Sequence, residues 1–167
     1  MSTDVLPKPD WIKKRLQFTT ERNVKTGLRH HGLHTVCEEA HCPNRSECFA
    51  RGMATVMIMG DVCTRSCKFC NVKTGRPLSL EPKEPQRVAD WVSEQKFKHI
   101  VVTSVDRDDL ADLGAGHFAR TVEAIHKQSP ATSVEVLTPD FQGRTQCLET
   151  VCFSEPKIFN HNLETVE

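Results

Sequence analysis

Residues Val36 to Val72 read VCEEAHCPNRSECFARGMATVMIMGDVCTRSCKFCNV, and six of the chain's eight cysteines fall in this stretch. They form two triplets. Cys37, Cys42 and Cys48 are spaced C-x4-C-x5-C, and Cys63, Cys67 and Cys70 are spaced C-x3-C-x2-C. Between them the run Thr55 to Met59 is apolar and β-branched and is bounded by Gly52 and Gly60. That pattern predicts one buried strand. The second triplet then occupies the loop at a strand's carboxyl end, where α/β folds carry their chemistry.

Close thiols have few uses. A disulfide framework suits small secreted domains, but the start MSTDVLPKPDW has no apolar core of a signal peptide. Zinc takes four Cys or His ligands in structural sites. His30, His31, His34 and His41 lie near enough in sequence to complete the first triplet, whereas the first histidine after the second triplet is His99. Three thiolates without a fourth protein ligand suit an iron–sulfur cluster, whose irons are held by cysteine. The iron left over is a place for substrate to bind. Spacing alone favours iron–sulfur and leaves zinc as the alternative.

Outward from this stretch, Asp10 is placed to cap a short helix from Trp11 to Gln17, with Trp11 expected to pack on its apolar side and a substrate contact as the other reading. A second helical pattern runs from Glu21 to His30 and stops near Gly32. Pro43-Asn44 breaks regular structure within the first triplet, which is expected to lie on a loop. After the second triplet, GRPLSLEPKEP is a Pro-rich connector, and Pro85 opens a helix to Gln95 with Val88, Trp91 and Val92 inward. HIVVTSV is a strand that runs into the acidic segment DRDDL. Phe118, Val122 and Ile125 repeat at helical spacing, SVEVLTP is a strand, residues 143–152 are helical, and KIFNHN is a fourth strand. Cys147 and Cys152 fall on the last helix and are expected to be ordinary core or surface thiols. Strands alternating with helices predict βαβ units and a parallel sheet. The fold class is α/β: a partial (β/α) barrel of about four strands, with an amino-terminal helical and cysteine-bearing extension. Residues 1–52 form that extension and residues 53–167 the barrel portion.

Bulk properties restrict function further. Lys+Arg and Asp+Glu are equal at 22 each, so no net field recruits nucleic acid or an anionic membrane. No apolar run approaches the roughly 18 residues of a membrane span. Eight cysteines without a visible export signal imply a reducing compartment, and the expectation is the cytoplasm or an organelle reached by a signal the sequence does not reveal.

CTRSCKFC, with an aromatic residue before its last cysteine, resembles the signature of the radical S-adenosylmethionine (SAM) enzymes. CEEAHCPNRSEC is similar to the auxiliary-cluster motif of one branch, the lipoyl synthase family. VVTSVDRDDL, EVLTPDFQG and FNHNLETV resemble that family in the same order, so the likeness runs from about Trp11 onward. It implies a 4Fe–4S cluster on Cys63, Cys67 and Cys70, whose open iron chelates S-adenosylmethionine. It also implies an auxiliary 4Fe–4S cluster on Cys37, Cys42 and Cys48. Phe69 would pack near the adenine, with a hydrophobic plug beneath the loop as the other reading. Thr103, Ser104 and Asp106 would bind the amino group, with a solvated acidic face as the other reading of this segment, and Asn160 and Asn162 would reach the ribose, or else fix local turns. His161 is expected to be structural.

The reaction implied is sulfur insertion at C6 and C8 of an octanoyl chain amide-linked to a carrier lysine. A 5′-deoxyadenosyl radical removes the hydrogens, and the auxiliary cluster donates the sulfur. Unactivated C–H bonds yield to a primary carbon radical and not to acid–base side chains. The implied partners are octanoylated lipoyl-carrier domains of 2-oxoacid dehydrogenases or the glycine-cleavage H protein. An electron donor such as flavodoxin or ferredoxin completes the set. The family's fourth auxiliary-cluster ligand is a serine in an Arg-Ser-Ser-Tyr motif, which these 167 residues do not contain. The sequence therefore predicts a truncated form, for which a non-catalytic iron–sulfur-binding fragment is the alternative reading. A zinc-binding interaction module is a third and poorer one.

Overall fold

A computed structural model describes Pro9 and residues 18–161. The expected Trp11–Gln17 helix and Asn162 lie outside the described residues. Helix α1 spans Phe18–His31 and buries Val24 and Leu28. It ends where expected, at Gly32, whose φ of +60° is the left-handed geometry of a helix stop.

The first triplet is more regular than the loop the sequence suggests. Strand β1 (His34–Thr35) leads straight into helix α2 (Val36–Glu39), and a turn through Cys42 leads to helix α3 (Arg45–Ala50). The reason is capping. Thr35 Oγ1 accepts the Cys37 N–H at 3.2 Å and so starts α2, while Pro43-Asn44 separates the two short helices. Cys37 thus sits in α2, Cys48 in α3, and Cys42 between them.

Strand β2 (Met53–Ile58) follows, then the two-residue strands β3 (Val62–Cys63) and β4 (Lys73–Thr74), which pair in parallel around the second triplet. Helix α4 (Glu84–Gln95), strand β5 (His99–Ser104), helix α5 (Ala115–Gln128) and strand β6 (Ser133–Thr138) come next. A 3₁₀ turn at Phe141–Gly143, helix α6 (Thr145–Cys152) and strand β7 (Ile158–His161) complete the described chain. The main sheet has the order β1-β2-β5-β6-β7. Strands β2, β5, β6 and β7 are parallel and adjacent in chain order, and β1 lies antiparallel on the β2 edge. This is the partial β/α barrel expected.

Register explains the two faces. Val56 pairs with Val102, and Val102 with Val136. Residues paired across a parallel ladder point to the same face. Val56, Ile58, Ile100, Val102, Val134 and Val136 are fully buried, as are Val88, Trp91 and Val92 of α4, Phe118, Val122 and Ile125 of α5, and Val151 of α6. Together they form one core. The other face is mixed: Thr55, Val101, Thr103, Glu135 and Leu137 are half-buried and Asn160 is exposed. On it His99 Nε2 stands 3.0 Å from Glu135 Oε2, and Asn160 Nδ2 donates to Glu135 Oε1 at 2.5 Å. The ladder also levels the strand ends: Ile58 pairs with Ser104, Thr103 with Leu137, and Thr138 with His161. The loops leaving these ends converge on one rim. No described helix is long and apolar enough to cross a membrane.

Candidate functional site

The second triplet sits on that rim. After β2 the chain reverses through Met59 (φ +68°) and Gly60 (φ +94°), and β3 delivers Cys63 to the ends of the strands. Gly75 N–H donates to Cys63 O at 2.9 Å, which closes the base of the cysteine loop. Cys63, Cys67 and Cys70 line one cavity of about 220 Å³ with Phe69, Thr103, Ser104 and Asp106. Apolar walls come from Val36, Met57, Val72 and Leu137. Asn160 is not among the lining residues.

Cys63 is the buried member of the triplet. Its Sγ accepts the N–H of Arg65 at 3.4 Å and of Asp106 at 3.3 Å, and lies 3.5 Å from Asp106 Oδ2. Burial pushes its thiol above the ordinary range, and the two backbone donors oppose that shift. The Asp106 carboxyl is likewise pushed up, chiefly by burial, with Arg65 opposing. Ser104 Oγ is buried and has no hydrogen-bond partner among the described residues. Phe69 is 70% exposed at the cavity's mouth. Thr103 Oγ1 donates to Leu137 O at 2.9 Å.

Arg65, between the first two cysteines, was not among the residues the sequence singled out. Its Nε and Nη2 fork onto Asp108 at 2.7 and 2.8 Å, and Nη2 also reaches Asp140 at 2.9 Å. The Asp108 hydrogen bonds, then that to Asp140, raise the guanidinium's already high pKa. In return Arg65 holds both carboxyls below the usual carboxylate range. The cysteine loop is thereby tied to the loops after β5 and β6. The acidic segment is a fastening and not merely a solvated face. An arginine inside a cysteine triplet, with carboxylates at two strand ends, was the available signal.

The segment that carries the first triplet adjoins this cavity, with Val36 in its wall. Cys42 N–H donates to Cys37 O at 3.2 Å, and Cys48 N–H donates to Asn44 O at 3.0 Å. The Cys48 thiol is pushed up by burial, and further by the nearby Cys37 and Cys42 sulfurs. Asn71 Nδ2 donates to Glu39 O at 3.0 Å, joining the segments that carry the two triplets. The cysteines are all thiols, with Cys147 buried in α6 and Cys152 exposed.

Among the described residues, no three His, Cys, Asp or Glu side chains are drawn together as one metal ion requires. A 4Fe–4S cluster asks instead for thiolates spread around a larger body, one to each iron. Cys63, Cys67 and Cys70 around one cavity, with two N–H donors on the Cys63 sulfur and a Ser104 hydroxyl in the wall that has no partner among the described residues, fit that demand.

Comparison with known proteins agrees. The radical SAM superfamily model matches residues 57–167. The lipoyl synthase of Actinobacillus pleuropneumoniae serotype 5b (strain L20) is 54% identical over 98% of this chain and 50% of that protein. The lipoyl synthases of Haemophilus influenzae (strain PittEE) and Haemophilus ducreyi (strain 35000HP / ATCC 700724) are 51% and 52% identical over 98% of the chain. The chain spans about half the length of the curated relatives it matches. With its cysteine loop at the strand ends of a partial β/α barrel, the chain belongs to the radical SAM superfamily.

Proposed function

We propose that this chain serves lipoyl synthase chemistry, the insertion of two sulfur atoms at C6 and C8 of a protein-bound octanoyl-lysine. The observation that carries this reading is the pairing of two cysteine triplets. One lines the cavity at the strand ends, and the other is fastened beside it by Asn71. The relatives named lipoyl synthase support it from sequence. In this reading residues 1–52 carry the auxiliary site and residues 53–167 the barrel portion.

Cys63, Cys67 and Cys70 would hold one 4Fe–4S cluster, and Cys37, Cys42 and Cys48 a second that is the sulfur donor. Bound at the strand ends, such a cluster would supply the electron for cleavage of S-adenosylmethionine. The protein's part is binding and exclusion of water. Asp106, Ser104 and Thr103 offer a carboxylate and two hydroxyls for the amino group. Phe69 offers an aromatic face for the adenine. Asn160 would turn from Glu135 toward the ribose, joined by Asn162. Octanoylated lipoyl-carrier domains or H protein are the substrates, flavodoxin or ferredoxin the electron donor, and the cytoplasm the site of action.

The serine ligand that the resemblance implies is not within these 167 residues. On its own the chain is therefore expected to cleave S-adenosylmethionine but to insert little or no sulfur. The test is anaerobic incubation of the reduced, iron-loaded chain with S-adenosylmethionine and an octanoylated carrier domain. 5′-Deoxyadenosine that disappears with Cys67→Ala supports the reading. No 5′-deoxyadenosine from the iron-loaded parent would contradict it.

A further inference from the structure

Met59 is held from every side, though it takes no part in the site just described. It adopts a left-handed backbone (φ +68°), unusual for a residue with a side chain, and is 4% exposed. Its N–H donates to Glu84 Oε2 at 2.8 Å, from the start of α4. Its C=O accepts from Arg107 Nη1 at 3.4 Å, from the loop after β5. Its side chain lies over Gly114 (φ +88°), where a Cβ would stand 2.6 Å from Met59 Cε.

Each holder is itself fixed. Glu84 Oε2 is 2.6 Å from His117 Nε2, and the two side chains are 7% and 0% exposed. Arg120 Nη2 contacts His117 Nδ1 at 3.4 Å. A guanidinium only donates, so Nδ1 accepts and Nε2 is the nitrogen that donates to Glu84. Arg107, 2% exposed, forks onto Asp109 at 2.8 and 2.9 Å and reaches Leu78 O at 3.0 Å. Four residues beyond Met59 stands Cys63. The only chain between them is the Gly60–Asp61–Val62 reversal, so the direction taken at Met59 decides where Cys63 arrives.

We infer that Glu84 and His117 are positioning residues for the cysteine loop, acting through the Met59 peptide to place Cys63 on the rim. The link to cluster binding rests on the function proposed above; the link to the loop rests on geometry alone. Buried polar groups bonded this closely leave a donor stranded if one partner is removed, here the Met59 N–H.

The experiment compares Glu84→Ala, Glu84→Gln and the parent in the full chain, by hydrogen exchange and, after anaerobic reconstitution, by electron paramagnetic resonance (EPR). Glu84→Ala is expected to speed exchange about tenfold in the segment 59–64, with β5 and β6 unchanged. It is also expected to weaken the change that S-adenosylmethionine causes in the reduced cluster's spectrum. Glu84→Gln keeps an oxygen acceptor for Met59 and should stay within about threefold of the parent. Parent-like exchange in 59–64 of Glu84→Ala would overturn the inference, as would acceleration spread equally through β5 and β6. Local acceleration in a chain that takes up no iron would leave the clamp standing and remove the cluster reading instead.

Discussion

Arg65 ties the cysteine loop to the loops after both β5 and β6. Its fork on Asp108 and its bond to Asp140 are charge-assisted; Arg65 and Asp108 are half-buried and Asp140 is exposed. Lysine in its place keeps the charge but cannot span two carboxylates in the same plane. Arg65→Lys is expected to cost about 1–3 kcal/mol in urea unfolding of the metal-free chain. It should also loosen the loop that carries Cys67 and Cys70. Unchanged stability would mean that Arg65 is only a surface charge. The same scale shows why the cysteines are conspicuous in the sequence and their supports are not. Thiols at C-x3-C-x2-C spacing have few chemical uses, so Cys63, Cys67 and Cys70 stood out. Arg65 with Asp108 and Asp140, or Glu84 with His117, are ordinary residues that matter only because the fold joins them across 43, 75 and 33 positions.

Among elements, the strands and long helices were legible because period and punctuation agree. Pro85 opens α4, and Val88, Trp91 and Val92 are buried as their spacing requires. The short elements were not. β1, β3 and β4 have two residues each, too few for any period, and α2 and α3 owe their form to a cap and a proline. Helix α3 is fastened to α1 through Glu21, which lies 2.6 Å from Arg45 Nε and 2.8 Å from Lys25 Nζ. The hydrogen bond from Lys25, then that from Arg45, hold the Glu21 carboxyl below its usual range. A carboxyl lowered by folding stabilises the protein above its unfolded pKa, about 4.3, and that contribution is lost as pH falls through the folded value. Glu21→Gln is therefore expected to cost about 1 kcal/mol near pH 7. Its stability should also fall less steeply than the parent's as pH drops below about 4.3. Parallel curves for the two proteins would show that the ion pair contributes nothing.

For the whole molecule, four adjacent parallel strands bring the loops of separate β/α units to one rim, and a cysteine loop occupies it. At this scale the proposal is that both triplets hold iron–sulfur clusters. Iron and acid-labile sulfide counted per chain after anaerobic reconstitution test it most directly. The expected result is about eight irons with matching sulfide, falling to about four in either Cys63→Ala or Cys37→Ala. Bound zinc without sulfide would contradict it.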